Sequence, residues 1–142
     1  MPKPFSFSRE ERIKSKKTMD TLFRTGMAFF IYPYKVHYLL APATAPEDEP
    51  LQAGFSVPKR LHRRANRRNR LKRLGREHYR LRKTALKDAL QHAGLTLRCM
   101  WLYQAKEEMD YAALAAPMEK CLKRLLQLAT GAGAKPPEDK GE

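Results

Sequence analysis

Residues 59–83 read KRLHRRANRRNRLKRLGREHYRLRK, and the rest of the chain is best interpreted outward from them. This stretch contains thirteen lysines and arginines but one acid, Glu77, in a chain of 142 residues whose formal net charge is +14. A helix face that only has to stay in water usually alternates acids with its bases, so that they pair one turn apart. Because this stretch has almost no acids, it predicts binding to a polyanion, and its richness in arginine favours phosphate contacts.

The basic stretch also predicts a long helix with one buried side. Apolar residues recur at helical spacing between about residues 65 and 93, at Leu71, Leu74, Leu81 and Ala85. Gly94 follows, and a glycine commonly ends a helix. The opposite side of the helix would carry Asn69, Lys72, Arg73, Arg76, Arg80 and Lys83. We therefore expect one helix that buries a leucine stripe and exposes an arginine-rich side.

Strand patterns lie before and after this helix. Three segments show the two-residue period of a strand, in which every second side chain points to the same face and one face is mainly apolar. They are PYKVHYLL (33–40), QAGFSV (52–57) and LTLRCMWLYQ (95–104). A shorter apolar piece covers residues 28–32. Because only one face of the resulting sheet is needed for a core, the other face is available to stack unpaired bases.

A first helix is predicted from the capping-box spacing of Ser8 and Glu11. It should run to about Thr25, with a break near Ser15. Gly26 comes directly after this segment, and we expect it to end the helix in the left-handed conformation.

A last helix should begin near Asp110, whose side chain can cap its first turn. Pro117 lies inside the apolar stripe of that segment and is tolerated only if the helix begins late. We expect a single domain over residues 1–129 and a disordered C-terminal tail over residues 130–142.

Several classes of protein are disfavoured by the remaining residues. Cys99 and Cys121 form no CxxC pair and fall on apolar registers, which indicates buried, reduced thiols in a cytoplasmic protein. The most apolar window, residues 27–41, is too short and interrupted to cross a membrane, and the N-terminus has no secretory signal. Neither metal-binding histidine spacing nor a glycine-rich phosphate loop is present. We expect no metal site and no catalytic residue in the protein.

The sequence GFSVPKR (54–60) followed by RRANRRNRLKRLGREHYRLRK (63–83) resembles the signature of the protein component of bacterial ribonuclease P. The RNR run with a trailing K-R-x-x-R-E is the most specific part of this resemblance, which extends over about residues 5–126. It implies an α/β (α+β) two-layer sandwich of order αβββαβα, similar to domain 2 of ribosomal protein S5. The mixed four-stranded sheet would include a left-handed βαβ crossover, although the general rule favours a right-handed one.

The resemblance also implies a function in removing the 5′ leader from precursor tRNA. The protein would be the accessory subunit of this endoribonuclease, bound one to one to a ribonuclease P RNA that holds the catalytic Mg²⁺ ions. Two alternatives remain open. A basic ribosomal or RNA-chaperone protein would bind structured RNA without a role in processing. An autonomous nuclease is disfavoured by the missing cluster of acids or metal ligands.

Site residues follow from the resemblance and from the basic stretch. Contacts to RNA are expected from Lys59, Arg60, Arg64, Arg67, Arg68, Asn69, Arg70, Lys72, Arg73, Arg76 and Arg80. The resemblance implies a cleft for the single-stranded leader, lined by Met19, Phe23, Ser56, Lys59 and either His37 or Tyr38. Composition leaves open whether Asn69 contacts RNA or only solvent. Because Arg68 and Arg70 lie off the leucine stripe, replacing either should leave thermal stability nearly unchanged.

Overall fold

A computed structural model describes residues 7–45 and 47–131. Within these residues its elements are a 3-10 turn (Arg9–Glu11), α1 (Lys16–Thr25), β1 (Met27–Ile31), β2 (Tyr34–Pro42), β3 (Leu51–Ser56), α2 (Ala65–Arg82), α3 (Thr84–Ala93), β4 (Leu95–Tyr103) and α4 (Tyr111–Thr130). The predicted order is confirmed, except that two helices stand where one was expected. The predicted tail lies outside the described residues from residue 132 onward. No helix in the described ranges is long and apolar enough to cross a bilayer.

The four strands form one mixed sheet in the order β1-β2-β4-β3. β2 pairs antiparallel with both β1 and β4, whereas β3 and β4 are parallel neighbours. Helices α2 and α3 connect these two parallel strands and so form the predicted crossover. The α+β fold with a mixed sheet is therefore confirmed, and the left-handed sense of the crossover stays an expectation from the resemblance.

One face of the sheet packs against α2, α3 and α4 to form the main core. The alternation predicted for β2 is confirmed, because Tyr34, Val36 and Tyr38 are all buried. Trp101 lies at the centre and stacks on Phe55, with 5.7 Å between ring centroids. Both cysteines are also in this core, and burial raises the pKa of each thiol to about 12.

The buried side of α2 differs from the predicted leucine stripe. Leu71 is buried and Leu74 is partly buried, but Leu81 is 38% exposed and Ala85 faces solvent. The residues of α2 that are buried are Leu71, Gly75, His78 and Tyr79. The prediction failed because an apolar stripe overlooks a polar aromatic ring such as that of His78, which can enter a core when its polar atoms find partners. His78 does so by bonding through Nε2 to the carbonyl oxygen of Tyr111, at 2.6 Å.

Lys83 separates α2 from α3, and it does not project outward as predicted. Its side chain is only 2% exposed, and its Nζ lies 3.2 Å from Oε2 of Glu11, which is equally buried. Lys87 from α3 pairs with the same carboxylate oxygen and also with Glu49. We call these four residues the buried ion cluster. It ties the N-terminal segment to the junction of α2 and α3, and this long-range pairing is the reason for the wrong prediction.

The N-terminal capping box is present, but it caps the 3-10 turn rather than α1. The break near Ser15 is confirmed, since the Ser15 side chain caps α1 by accepting from the backbone N–H of Thr18. The left-handed conformation expected for Gly26 is wrong, because its φ is −80°. A glycine is still needed there, because a Cβ would lie 2.4 Å from the carbonyl oxygen of Leu22.

The C-terminal helix begins earlier than expected. Pro117 predicted a late start, because a proline is best tolerated in the first turn of a helix. Asp110 caps it as predicted, accepting from the N–H of Ala113 at 2.9 Å, but α4 then runs from Tyr111 straight through the proline. Leu114 and Met118 are fully buried on either side of Pro117. Their packing offsets the hydrogen bond that proline cannot donate. At the end of α3, Gly94 adopts the predicted left-handed conformation, with φ of 70°.

Candidate nucleic-acid interface

The basic residues before and along α2 form a surface with few acids. Five are exposed and two are half-buried: Lys59, Arg60, Arg64, Arg70 and Arg73, then Lys72 and Arg76. No carboxylate in the part of the chain that the structure describes forms an ion pair with any of these seven. We call them the open ridge. Because no acid neutralises the open ridge, its positive field is available to an anionic ligand.

The start of α2 adds to this field. The helix begins after Arg64 without a side-chain cap, so the first backbone N–H groups have no intrahelical acceptor. These groups form the positive end of the helix dipole. The N-terminal half of the open ridge therefore combines guanidinium groups with a positive helix end. Asn69 lies on the same exposed side, next to Arg70.

Three other predicted RNA-binding residues already have partners within the protein, namely Arg67, Arg68 and Arg80. Arg67 pairs with Glu108, and Arg80 pairs with Glu77. Both pairs are at the surface, where an ion pair contributes little to stability because water screens it, so a phosphate can compete with the carboxylate.

Arg68 has a structural role that the sequence did not predict. Its Nη1 donates to the carbonyl oxygens of His62 and Arg63, at 3.1 and 2.7 Å, and so holds the turn that precedes α2. The expectation that replacing Arg68 leaves thermal stability nearly unchanged therefore conflicts with its contacts. Arg70 makes no such contact with the described residues, so the same expectation still applies to it.

The sheet face that does not contact α2, α3 and α4 carries the predicted cleft residues. Phe23 of α1 is 44% exposed, and its ring lies edge-on to that of His37, with 4.7 Å between centroids. Tyr38 points to the opposite face and is 3% exposed in the core. Since neighbouring residues of a strand alternate between faces, His37 lies on the face that carries Phe23, whereas the burial of Tyr38 in the core contradicts its prediction as a cleft residue.

Residues of neighbouring strands extend this open face. Lys35 and Ser56 both pair with Leu102 of β4, one from each side, so the three lie in one row across the sheet. Lys59 is exposed beyond the end of β3. Lys35 was not predicted, although the alternation that identifies His37 also places it on this face. Burial and, to a lesser degree, the charge of Lys35 lower the pKa of His37 below its ordinary value, which favours the neutral ring.

Met19 lies on the same side of the sheet but belongs to a separate feature. It packs with Ile13, Leu22 and Met100 in a small second apolar cluster. Beside it is a cleft of about 240 Å³ that Arg12 and Arg76 also line. Arg12 was missed in the sequence because it lies outside the basic stretch. Within the described residues, no group of three or more histidine, cysteine or acidic side chains could hold a metal ion.

Comparisons with known proteins identify the family of this chain. The model of the Ribonuclease P family matches residues 7–126. A ribonuclease P protein component from Porphyromonas gingivalis is 35% identical over 124 residues, which cover 87% of this chain and 89% of the relative.

Solved structures show the same fold. The ribonuclease P protein of Staphylococcus aureus superposes with a TM-score of 0.62 at 22% identity, over 80% of this chain and 94% of that one. The protein from Thermotoga maritima gives a TM-score of 0.62 at 20% identity, over 80% and 96% of the two chains. The family match over most of the sequence and the identity to the bacterial relative lead to one conclusion: this chain belongs to the ribonuclease P protein family.

Proposed function

We propose that this protein is the accessory subunit of ribonuclease P, which binds the catalytic RNA through the open ridge and the 5′ leader of precursor tRNA through the open sheet face. The observation that carries the proposal is the open ridge itself, seven cations without a carboxylate partner among the described residues. Such a surface repels itself until an anionic ligand binds. Family membership supports RNA as this anion.

The open ridge suits a folded RNA because most of its cations are arginines. A guanidinium can donate two parallel hydrogen bonds to one phosphate, and each neutralised phosphate releases counterions. Arg70 and Arg73 are exposed near one another on α2, at a spacing that places them on adjacent turns. We assign them, with the other residues of the open ridge except Lys59, to phosphates of the ribonuclease P RNA.

The open sheet face suits a single strand because it combines one exposed ring, Phe23, and one half-buried ring, His37, with separated cations. Bases that are not paired can stack on the Phe23 and His37 rings. Lys35 and Lys59 would contact phosphates of the same strand. A leader is single-stranded, whereas the body of tRNA is base-paired, so this face would favour the precursor over the mature product.

The reaction itself is assigned to the RNA subunit, with Mg²⁺ as its cofactor. The protein supplies positive charge, which reduces the repulsion between leader and catalytic RNA and so lowers the Mg²⁺ concentration needed for cleavage. We propose one protein per RNA, in the cytoplasm.

Reconstitution with a bacterial ribonuclease P RNA tests this proposal. At low Mg²⁺, the protein should restore cleavage of precursor tRNA and should increase affinity for precursor more than for mature tRNA. The matched comparison is Arg70→Ala with Arg73→Ala against Lys120→Ala with Lys123→Ala, because the second pair removes two exposed charges from α4. Equal affinity for precursor and mature tRNA would favour a structural RNA-binding protein instead. Cleavage by the protein alone would contradict the assignment of chemistry to RNA.

A further inference from the structure

The N-terminal segment, residues 7–15, lies along the outer edge of β3, which is an edge strand of the sheet. Arg12 forms a parallel bridge with Ala53 of that strand, and the N–H of Ile13 donates to the carbonyl oxygen of Ala53 at 3.1 Å. From the strand, the side chain of Gln52 donates to the carbonyl oxygen of Glu10 at 2.7 Å. These bonds fix the position of the segment along the sheet.

Glu11 attaches the same segment to the helices. One oxygen of its buried carboxylate lies 3.2 Å from Nζ of Lys83, between α2 and α3, and also pairs with Lys87 of α3. The other oxygen accepts from the N–H of Ser8, at 3.2 Å. If the segment moved away, Lys83 would be buried without a carboxylate partner among the described residues, which is strongly unfavourable. The buried ion cluster therefore fixes the position of the segment relative to α2.

Arg12 follows Glu11 directly and projects to the opposite side of the segment. The backbone at Arg12 is extended, with φ of −102° and ψ of 137°, so successive side chains point in opposite directions. Glu11 and Ile13 are buried, whereas Arg12 is exposed. The Arg12 guanidinium donates from Nη2 to the carbonyl oxygen of Phe7, at 3.2 Å, and lies 5.3 Å from the centre of the Phe7 ring. The anchor and the exposed cation are thus adjacent residues.

Three arginines from two distant parts of the chain meet beside α2. Arg12 and Arg76 line the same cleft, and Arg73 precedes Arg76 by one helical turn. Burial lowers the pKa of Arg76, and the nearby charges of Arg12 and Arg73 lower it further. A guanidinium nevertheless stays charged at neutral pH. Because none of the three pairs with a carboxylate of the described residues, their mutual repulsion favours a bound phosphate.

We propose that Arg12, Arg73 and Arg76 together bind one backbone phosphate of the ribonuclease P RNA, and that the buried ion cluster positions Arg12 for this contact. Glu11 is then a positioning residue, which acts on RNA only through Arg12. If Glu11 merely stabilised the fold, replacing it would weaken RNA binding whether or not Arg12 were present. The inference rests on the proposed function, since it adds to the open ridge a contact from outside the basic stretch.

The test is a double-mutant cycle measured by filter binding to a bacterial ribonuclease P RNA without precursor tRNA, at a temperature at which circular dichroism shows every variant folded. Arg12→Met should weaken binding about tenfold, as expected for loss of one charged hydrogen bond. Glu11→Gln should weaken it about fivefold, because Kd rises as the fraction of molecules with Arg12 in place falls. In the Arg12→Met background, Glu11→Gln should have no further effect.

Two controls accompany the cycle. Glu11→Gln should keep its full effect in the Arg70→Ala background, because Arg70 lies outside the three-arginine site. Glu10→Gln, which changes an exposed neighbouring acid, should bind the RNA as wild type does. If Glu11→Gln does not fold, Glu11→Gln combined with Lys83→Gln replaces it throughout, because this variant leaves no unpaired charge at position 83.

The outcomes separate this inference from the proposed function. If Glu11→Gln weakens binding equally with and without Arg12, Glu11 is not a positioning residue for RNA. If Arg12→Met binds the RNA as tightly as wild type, Arg12 belongs to no phosphate site. Either result overturns the inference, while the proposed function stands as long as Arg70→Ala with Arg73→Ala weakens binding. If the wild-type protein does not bind the RNA, the inference and the proposed function fail together.

Discussion

Arg73 and Lys83 belong to the same basic run but have opposite environments. Arg73 is exposed and has no carboxylate partner among the described residues, whereas Lys83 is buried against Glu11. The first arrangement leaves charge available to a ligand. The second uses charge to position a segment, because the residue after Glu11 is Arg12, which lines the cleft. One cationic run therefore serves two purposes, and burial distinguishes them.

The two environments also differ in energetic terms. A buried ion pair loses the hydration of both groups, so it adds little net stability, but removing one partner leaves an uncompensated buried charge. The buried charge of Glu11 is well compensated, since its carboxylate accepts from the Ser8 N–H and pairs with both Lys83 and Lys87. On the open ridge, loss of a single cation leaves nothing buried and unpaired. The following predictions test this difference.

Replacement of Glu11 by alanine should have the largest effect. Lys83 would then be buried without any carboxylate partner in the described residues, which typically costs about 3–5 kcal/mol of the free energy of unfolding. Urea denaturation at pH 7 measures this loss. The matched control is Glu10→Ala, which removes an exposed neighbouring acid and should change stability by less than about 0.5 kcal/mol. Equal losses in the two variants would refute a structural role for the buried ion cluster.

Arg70→Ala combined with Arg73→Ala should weaken binding to ribonuclease P RNA with almost no change in stability. Each phosphate contact that is lost should reduce the slope of log K against log salt by about 1. Filter binding over a series of salt concentrations gives this slope. Lys120→Ala with Lys123→Ala should leave it unchanged. A slope that does not respond to the Arg70 and Arg73 changes would mean that RNA does not bind the open ridge.

Arg68→Ala and Arg70→Ala should differ in stability although both residues belong to the RNR run. Arg68 loses its hydrogen bonds to the carbonyl oxygens of His62 and Arg63, which should cost about 1 kcal/mol. Arg70→Ala should cost less than about 0.5 kcal/mol. Thermal and urea unfolding of the two variants provide the measurement. Identical unfolding curves would show that the turn before α2 does not depend on Arg68.

The smallest effect is expected in the pH dependence of stability, where the stabilising contribution of Glu11 should be lost in acid. Burial raises the pKa of Glu11, but the hydrogen bonds and charges of Lys87 and Lys83 together outweigh it and hold the pKa below its ordinary value of 4.5. The stabilising contribution is therefore fully present above pH 4.5 and is lost as pH falls through the lower folded value. The stability difference between wild type and Glu11→Gln, measured by urea denaturation, should shrink only on this acid side. A difference that stays constant into strong acid would contradict the assignment.

Local patterns in the sequence were enough to predict much of the fold and the site. Alternation in 33–40 located β2 and its two faces, and the charge of 59–83 located the ridge, because both signals depend only on neighbouring residues. The RNR run added the family and the expected role of Phe23. The choice between His37 and Tyr38 was different, since alternation separates the two faces without showing which one the helices cover.

Only the tertiary structure decided the environment of individual charges. Lys83 and Glu11 are 72 residues apart in the chain, and no periodicity links them. Arg12 likewise reaches the cleft of Arg76 through a backbone bridge to β3. The sequence by itself determined where the chain is amphipathic and where it is cationic, because these are local properties. Which cations are buried and which remain free depends on contacts between distant segments, because burial and pairing exist only after the chain has folded.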